Sequence, residues 1–314
     1  MSKKTISLFL VFLLLTTLLC ACTNVNTPTE QNKPNESGNS NISTDITESS
    51  PSDKVAVNIL KETDEKITET FEEDGLGKIT FIHSTTSSIN SLRKMEIAIG
   101  DIIIVDDFQY VFMKKYNETT TEDYDTCGLS VKAINELETY KPIYSALFGI
   151  EVVNADYCFY NNKLLKKMPT LPSSILSAAH CFDGCENMGI ENAEISLHEI
   201  EKLSYADYMF ANCANISSIF SMPLELESAN GMFINCIKLE QCATISGKLL
   251  NANNMFENCK LLTGTLAFES APKEYKDIFK GTEKTIVIDG TIDEKMIENY
   301  DNVTNQEVIL WKRF

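Results

Sequence analysis

The stretch ANGMFINCIKL, Ala229 to Leu239, is followed 23 residues later by ANNMFENCKLL, Ala252 to Leu262, and preceded at the same interval by ADYMFANCANI, Ala206 to Ile216. Extending the register both ways finds six phenylalanines, Phe159, Phe182, Phe210, Phe233, Phe256 and Phe279, separated by 23, 28, 23, 23 and 23 residues. A fixed period of this length marks a solenoid in which each repeat is one coil. The residue before Phe is Cys158, Cys181, Met209, Met232, Met255 or Ile278, and six after it stand Leu165, Met188, Ile216, Leu239, Leu262 and Thr285. Upstream, Ala155, Ala178, Ala206, Ala229 and Ala252 lie four before Phe, and Val152, Ile175, Leu203, Leu226 and Leu249 seven before. One such unit cannot bury its apolar face alone, so the units must stack.

Two residues after each Phe comes Asn161, Gly184, Asn212, Asn235, Asn258 or Gly281. Asn and Gly tolerate φ > 0, which predicts a turn there in every coil. Three after Phe the chain has Asn162, Cys185, Cys213, Cys236, Cys259 and Thr282. The polar outer members, Asn162, Thr282 and Thr285, suit capping coils. Whether the Ala-x-x-[Met/Cys]-Phe segment is a strand or a short helical turn stays open, because positions seven, four and zero also share a helix face. The long interval adds five residues between Phe182 and Phe210, and the partial apolar face of Ile195, Leu197, Ile200 and Leu203 predicts an outward helix there.

The pattern Met-Phe-x-Asn-Cys-x-x-Leu, with Met168-Pro169, Leu171-Pro172 and Met222-Pro223 between copies, resembles the BspA-like leucine-rich repeats of bacterial surface proteins. The resemblance covers about residues 150–285. It implies a leucine-rich solenoid, a place at the cell surface, adhesion-like binding of protein or matrix, and no catalytic residues. The chain departs from the long arrays of that family in having only about six coils, several of them imperfect. At about 4.8 Å per stacked strand they make a stack on the order of 30 Å.

The N-terminus reads as an address. Lys3 and Lys4 precede an apolar run from Ile6 to Leu19, short for a membrane span, and the run ends Leu19-Cys20-Ala21-Cys22. This resembles a bacterial lipobox, which implies cleavage after residue 21 and a diacylglycerol on Cys22; Cys20 is a competing choice in a poorer context. Residues 22–53, rich in Thr, Ser, Asn, Glu and Pro and without an aromatic, read as a disordered tether with a mean reach of roughly 30 Å. The expected location is therefore the extracellular face of the cell membrane, lipid-anchored.

Residues 54–150 carry no repeat and read as an α+β N-terminal cap. Expected there are an amphipathic helix from Val55 to Asp74, a strand at Ile79–Ile82, and a hairpin of Ile102–Val105 with Phe108–Tyr116. A strand at Leu129–Ile134 and a helix around Tyr140–Phe148 follow. The solenoid spans 151–289. A C-terminal cap, 290–314, is expected to use a helix at Asp293–Tyr300 and the segment Val308–Trp311, after a strand at Ile286–Ile288. The fold class is thus α+β: a short leucine-rich-repeat solenoid preceded by a small cap.

The chain has 314 residues and a net charge of −18, which speaks against a nucleic-acid partner, since phosphate contacts need clustered Lys and Arg. Cys185, Cys213, Cys236 and Cys259 share one repeat position and read as buried thiols. Equivalent residues on adjacent coils lie about 4.8 Å apart, beyond the usual ~3.5–4.5 Å between bridged Cβ atoms. Cys158 with Cys181, and Cys127 or Cys242, are less constrained candidates for a bridge. The order His180-Cys181-x-x-x-Cys185 lacks the spacing of zinc sites, and packing is the simpler role. Asp106-Asp107, Glu72-Glu73-Asp74 and Glu122-Asp123 read as solvated turns and faces. No phosphate loop, nucleophile elbow or His-Glu-x-x-His motif occurs, so neither cofactor nor metal is expected.

Between Cys181 and Cys236 lie nine acids and one base. Of these, Glu191, Glu194, Glu199 and Glu201 sit in or beside the insertion and form the candidate partner-binding face, suited to a cationic protein. The leading function is a membrane-tethered, non-enzymatic interaction protein that binds a protein or polysaccharide. The alternative is an envelope hydrolase or thiol enzyme within 54–150, which would need His83 and Cys127, or a pair of acids, to converge.

Overall fold

Stacked coils must pass backbone hydrogen bonds from one to the next, and the Phe residues show how. The amide of Phe159 donates to the carbonyl of Cys181 (2.8 Å), Phe182 to Met209 (2.9 Å), Phe210 to Met232 (2.9 Å), Phe233 to Met255 (3.0 Å) and Phe256 to Ile278 (2.9 Å). The segment that carries them is neither strand nor helix. It is an arc of tight turns bracketed by two left-handed residues. The turn expected two places after Phe is present in every coil, from Asn161 (φ 60) to Gly281 (φ 75). A second left-handed position, two places before Phe, holds Tyr157, His180, Tyr208, Gly231, Asn254 and Asp277. At the three ring-bearing residues this conformation costs about 1–3 kcal/mol each and persists because the neighbouring coils dictate it.

A computed structural model describes residues 65–114, 127–290 and 292–306. The chain divides into two units, residues 1–66 and 67–314, and nearly all described residues belong to the second. Its cap contains β1 (Lys66–Glu73), β2 (Gly77–Ser84), α1 (Ile89–Arg93), β3 (Ile102–Val105), β4 (Phe108–Lys114), β5 (Cys127–Ala133), β6 (Ala146–Leu147) and β7 (Ile150–Asn154). The strands form one sheet in the order β1-β2-β3-β4-β5-β7-β6. The strand around Ile79–Ile82 and the hairpin are as the sequence predicts, with Val105 opposite Phe108. The strand expected at Leu129–Ile134 is β5. The parallel pairing of β5 with β7 joins this sheet to the first coil.

Three expected helices are corrected. Where the Val55–Asp74 helix falls on described residues, it is the edge strand β1. Alternate side chains Glu69, Phe71 and Glu73 are part-buried, and Gly75 (φ 80) and Gly77 (φ 74) turn the chain into β2. The Tyr140–Phe148 segment is irregular, broken by Pro142, and ends in a hairpin whose central Phe148 (φ 51) and Gly149 (φ 82) supply the primed turn that matches strand twist. The Asp293–Tyr300 helix shrinks to one 3-10 turn, Glu294–Met296, capped by the Asp293 carboxylate on the Lys295 amide. Val308–Trp311 lies outside the described residues.

The solenoid continues with β8 (Glu194–Ser196), β9 (Ser218–Ser221), β10 (Gln241–Cys242), β11 (Gly264–Ala267), β12 (Ile286–Asp289) and β13 (Val303–Asn305). β8, β9 and β10 form one parallel sheet in the order β10-β9-β8, and β11, β12 and β13 another. On another side of the coils, single parallel bridges link Asn154, Ser177, Tyr205, Ser228, Asn251 and Glu274 in succession. With the turn that ends in β13 the solenoid has about seven turns, one more than the Phe count.

Inside, the six Phe rings form one stack with centroids 5.3 to 6.0 Å apart and planes within 15°. Both ends are closed edge-on, by Tyr140 against Phe159 (4.8 Å) and by Tyr300 against Phe279 (5.8 Å). Electron-rich faces thus meet ring edges where the stack stops, a favourable quadrupole geometry.

Candidate functional site

The five-residue insertion produces the main departure from the repeat. Seven places after Phe, regular coils pass a backbone bond to the same position of the coil before: Glu240 donates to the Ser217 carbonyl (2.8 Å) and Thr263 to that of Glu240 (3.1 Å). In the insertion coil this duty is split. Gly189 donates back to Lys166 (2.9 Å), while the carbonyl that accepts from Ser217 belongs to Ala193 (2.9 Å). Gly189 (φ 101) can have no side chain, because a Cβ would lie 2.6 Å from the Asn215 backbone of the next coil.

After Ala193 the chain enters β8. The predicted outward helix over 195–203 is therefore corrected to a strand and turns. Ile195 and Leu197 alternate inward with Ser196 outward, the period of a strand, and Ile200 and Leu203 are buried in the core. β8 pairs with β9 on one edge only. On its other side lies Lys167–Leu171 of the preceding coil, which carries Pro169, lacks a strand, and leaves a cleft of about 210 Å³. Met168, Pro169, Leu171, Ile195 and Ile200 provide its apolar surface, and Glu194, Ser196, His198, Glu199 and the base Lys167 its polar rim.

All four acids singled out in the sequence, Glu191, Glu194, Glu199 and Glu201, are exposed, and two of them line the cleft. None of the four forms an ion pair among the described residues. Four other acids of the coils bind bases of adjacent coils: Glu186 with Lys163 (2.5 Å), Glu225 with Lys248, Glu257 with Lys280 (2.9 Å) and Glu283 with Lys260 (3.1 Å). Beside β8, a register shift in β9 sets both Phe220 and Ser221 against Ser196, leaving the Phe220 side chain 61% exposed. The cleft and the extruded Phe220 had no signal in the sequence beyond the irregular 28-residue interval.

The residues that could have carried chemistry have structural partners. His83 on β2 is buried, with Nδ1 at 2.8 Å from the Ser84 carbonyl and Nε2 at 3.1 Å from Glu69. Cys127 lies on β5, three strand spacings away, or about 14 Å. The two do not converge. Asp106 holds Lys141 and accepts from the Tyr144 hydroxyl (3.2 Å), and Asp107 accepts from the Lys141 amide (3.3 Å), so this acid pair braces a turn. Asp101, unmarked in the sequence, is buried and accepts from the amides of Ser84 and Ala98 (both 2.9 Å).

His180 is sandwiched between Tyr157 (4.7 Å) and Tyr208 (4.8 Å) and shares a 2.8 Å hydrogen bond with Asp183. The repeat-position thiols form a ladder: Cys185, Cys213, Cys236 and Cys259 each donate, at 3.1 to 3.2 Å, to the Phe carbonyl one coil earlier. Burial pushes their pKa up, to about 12 for Cys185 and Cys236, so they stay protonated and poorly nucleophilic. Cys158, Cys181 and Cys242 are free thiols as well. Among the described residues no group of three His, Cys, Asp or Glu is placed to hold a metal, and no helix is long and apolar enough to cross a membrane.

No family model matches the chain, and no curated protein matches it. Among solved structures it is similar to a leucine-rich repeat protein of T. pallidum, with a TM-score of 0.44 and 19% identity over 59% of this chain and 83% of the other. It is also similar to a leucine-rich repeat protein from Bacteroides ovatus, with a TM-score of 0.20 and 13% identity over 65% of this chain and 78% of the other. By its own geometry, a period of 23 residues with inward Leu, Met and Phe and parallel stacking of every coil, the chain is a leucine-rich-repeat solenoid.

Proposed function

We propose that this is a non-enzymatic interaction protein of the BspA-like kind, tethered to the outer face of the cell membrane through a lipid on Cys22 and the 22–53 segment. Its partner is a protein or polysaccharide of the envelope or of a host surface, and a cationic protein fits best. The observation that carries the reading is the contrast in charge use. Four acids elsewhere on the coils, Glu186, Glu225, Glu257 and Glu283, bind lysines of adjacent coils, and Asp156, Asp207, Glu269 and Glu274 accept hydrogen bonds from neutral groups. By contrast, Glu191, Glu194, Glu199 and Glu201 follow closely in sequence, are all exposed and form no ion pair among the described residues. Such a face raises the local concentration of cations and speeds their encounter, an effect screened over about 8–10 Å by physiological salt.

The test is recovery of surface partners by the full mature chain, followed by titration with salt. Binding should weaken between low and half-molar salt and on reversing Glu191, Glu194 and Glu199 to Lys; binding indifferent to both sinks this surface. The tether is tested separately. Cys22→Ala should leave the protein released or unprocessed, and normal processing with membrane retention would refute the anchor.

A further inference from the structure

An exposed strand edge beside a cleft is a template for another strand, and natural proteins commonly blunt such edges with charge, proline or a covering loop. Here Lys167–Leu171 of the coil before β8, which carries Pro169, forms the facing wall of the cleft without strand pairing to β8. Backbone bonds between the two coils lie before and after it, flanking it with the Gly189 amide on the Lys166 carbonyl (2.9 Å) and the Ser204 amide on the Leu176 carbonyl (2.9 Å). β8 is left as the terminal strand of the β10-β9-β8 sheet. The floor of the gap is apolar, from Met168, Leu171 and Ile195, and its rim holds Glu194 and Glu199 against the single base Lys167. Glu191 and Glu201 extend the negative charge at either end of the segment.

We propose that the open edge of β8 and its cleft receive an extended, lysine- or arginine-bearing segment of a partner protein, which adds as a further strand. In strand addition, main-chain hydrogen bonds supply affinity and alternate side chains enter pockets. The alternation of a strand suits this gap, since apolar residues can face Met168 and Ile195 while every second residue projects a cation toward Glu194 and Glu199. The acids exclude a second copy of this chain's own acidic insertion as the favoured occupant. The inference rests on the interaction reading above and specifies where and in what conformation the partner binds.

The probe is a capped eight-residue peptide of alternating Lys and Val, titrated against the full mature chain at low salt. Two analogues carry N-methyl groups on alternate residues, one in each phase, and a third replaces Lys by Glu. Strand addition uses one edge of the peptide. One methylated phase should therefore bind at least tenfold more weakly while the other retains affinity, and the Glu peptide should not bind. A Glu194→Lys/Glu199→Lys variant, both positions being exposed, should keep its unfolding midpoint and lose at least tenfold in affinity for the Lys peptide. Equal binding of both methylated phases would reduce the interaction to charge adherence and overturn the proposal, as would undiminished binding to the variant or no saturable binding. Dimerisation of the chain that the Lys peptide fails to displace would also overturn it, assigning the edge to a second copy. If the peptides fail while salt-sensitive capture of surface partners persists, the edge is refuted and the interaction reading stands.

Discussion

The coils around Phe233 and Phe256 and the coil of Phe182 are built on one plan, yet the latter carries five more residues. In the core nothing changes: Phe182 and Phe210 stack at 5.5 Å, Phe233 and Phe256 at 5.6 Å. At the surface the two regions diverge. Regular coils pass hydrogen bonds corner to corner, whereas the insertion coil splits the exchange between Gly189 and Ala193 and opens a cleft beside an unpaired strand edge. Length variation is absorbed at a corner because the Phe-bearing arc, held by backbone bonds on both sides, sets the spacing of the stack. The corner keeps its bonds to both neighbours by dividing them between Gly189 and Ala193, so a surface feature can grow between these two residues without disturbing the core.

The largest effect should come from the stack itself. Phe233→Ala removes a ring buried between two coils and should cost about 3–5 kcal/mol in reversible urea unfolding. The same change at Phe279, which meets a coil on one face and the edge of Tyr300 on the other, should cost less because a terminal coil can fray. Equal losses would show that the units are not a graded stack and that the comparison between coils has no energetic content.

Next comes the corner of the insertion coil. Gly189→Ala combines a left-handed backbone with a clash against the Asn215 backbone and should cost about 1–3 kcal/mol. Gly264→Ala shares the positive φ (81°) but meets no atom within 4 Å, so about 1 kcal/mol is expected there. Matching losses in thermal or urea unfolding would mean that the close approach of the insertion to the third coil does not matter.

The smallest effect is a pH dependence. Burial raises the ladder thiols from an ordinary value of 9.0, to about 12 at Cys185 and Cys236. Between pH 9 and 12 the folded chain keeps these protons while the unfolded chain releases them. The unfolded state then binds fewer protons, and stability falls as pH rises through that window. Denaturation midpoints should be flat between pH 7 and pH 8 as far as these thiols are concerned and decline above about 9, and Cys236→Ala should make the decline shallower. An unchanged slope would assign the alkaline loss to other groups, such as the buried Tyr110 phenol, whose pKa is also raised.

Much of this was written in residue spacing. The six Phe positions, the left-handed Asn and Gly after them, the inward Cys and the β-hairpin at Asp106-Asp107 all follow from local periodicity or turn chemistry, which a sequence displays directly. The helices expected at Ile195–Leu203 and, on its described residues, in Val55–Asp74 failed for a common reason: short apolar patterns fit periods of both 2 and 3.6, and neighbouring strands decided between them. The one expected at Tyr140–Phe148 is broken by Pro142 instead. His83 shows the same limit in chemistry. Its type suggested reactivity, but its partners, Glu69 on β1 and the Phe81 ring at 4.5 Å, are brought to it only by sheet pairing and the alternation of side chains.

The repeat alone determined that the chain must stack, which side chains face inward and where each coil turns, because a fixed period places identical residues in identical surroundings. It also marked the insertion as the irregular coil and its acids as outward. Only the tertiary structure decided what the irregularity does. Whether five residues form a helix, a bulge or an open strand edge depends on the backbone partners that adjacent coils offer. Here the coil before offers a proline-bearing segment and a gap, the coil after offers a strand, and β8 pairs on one side alone.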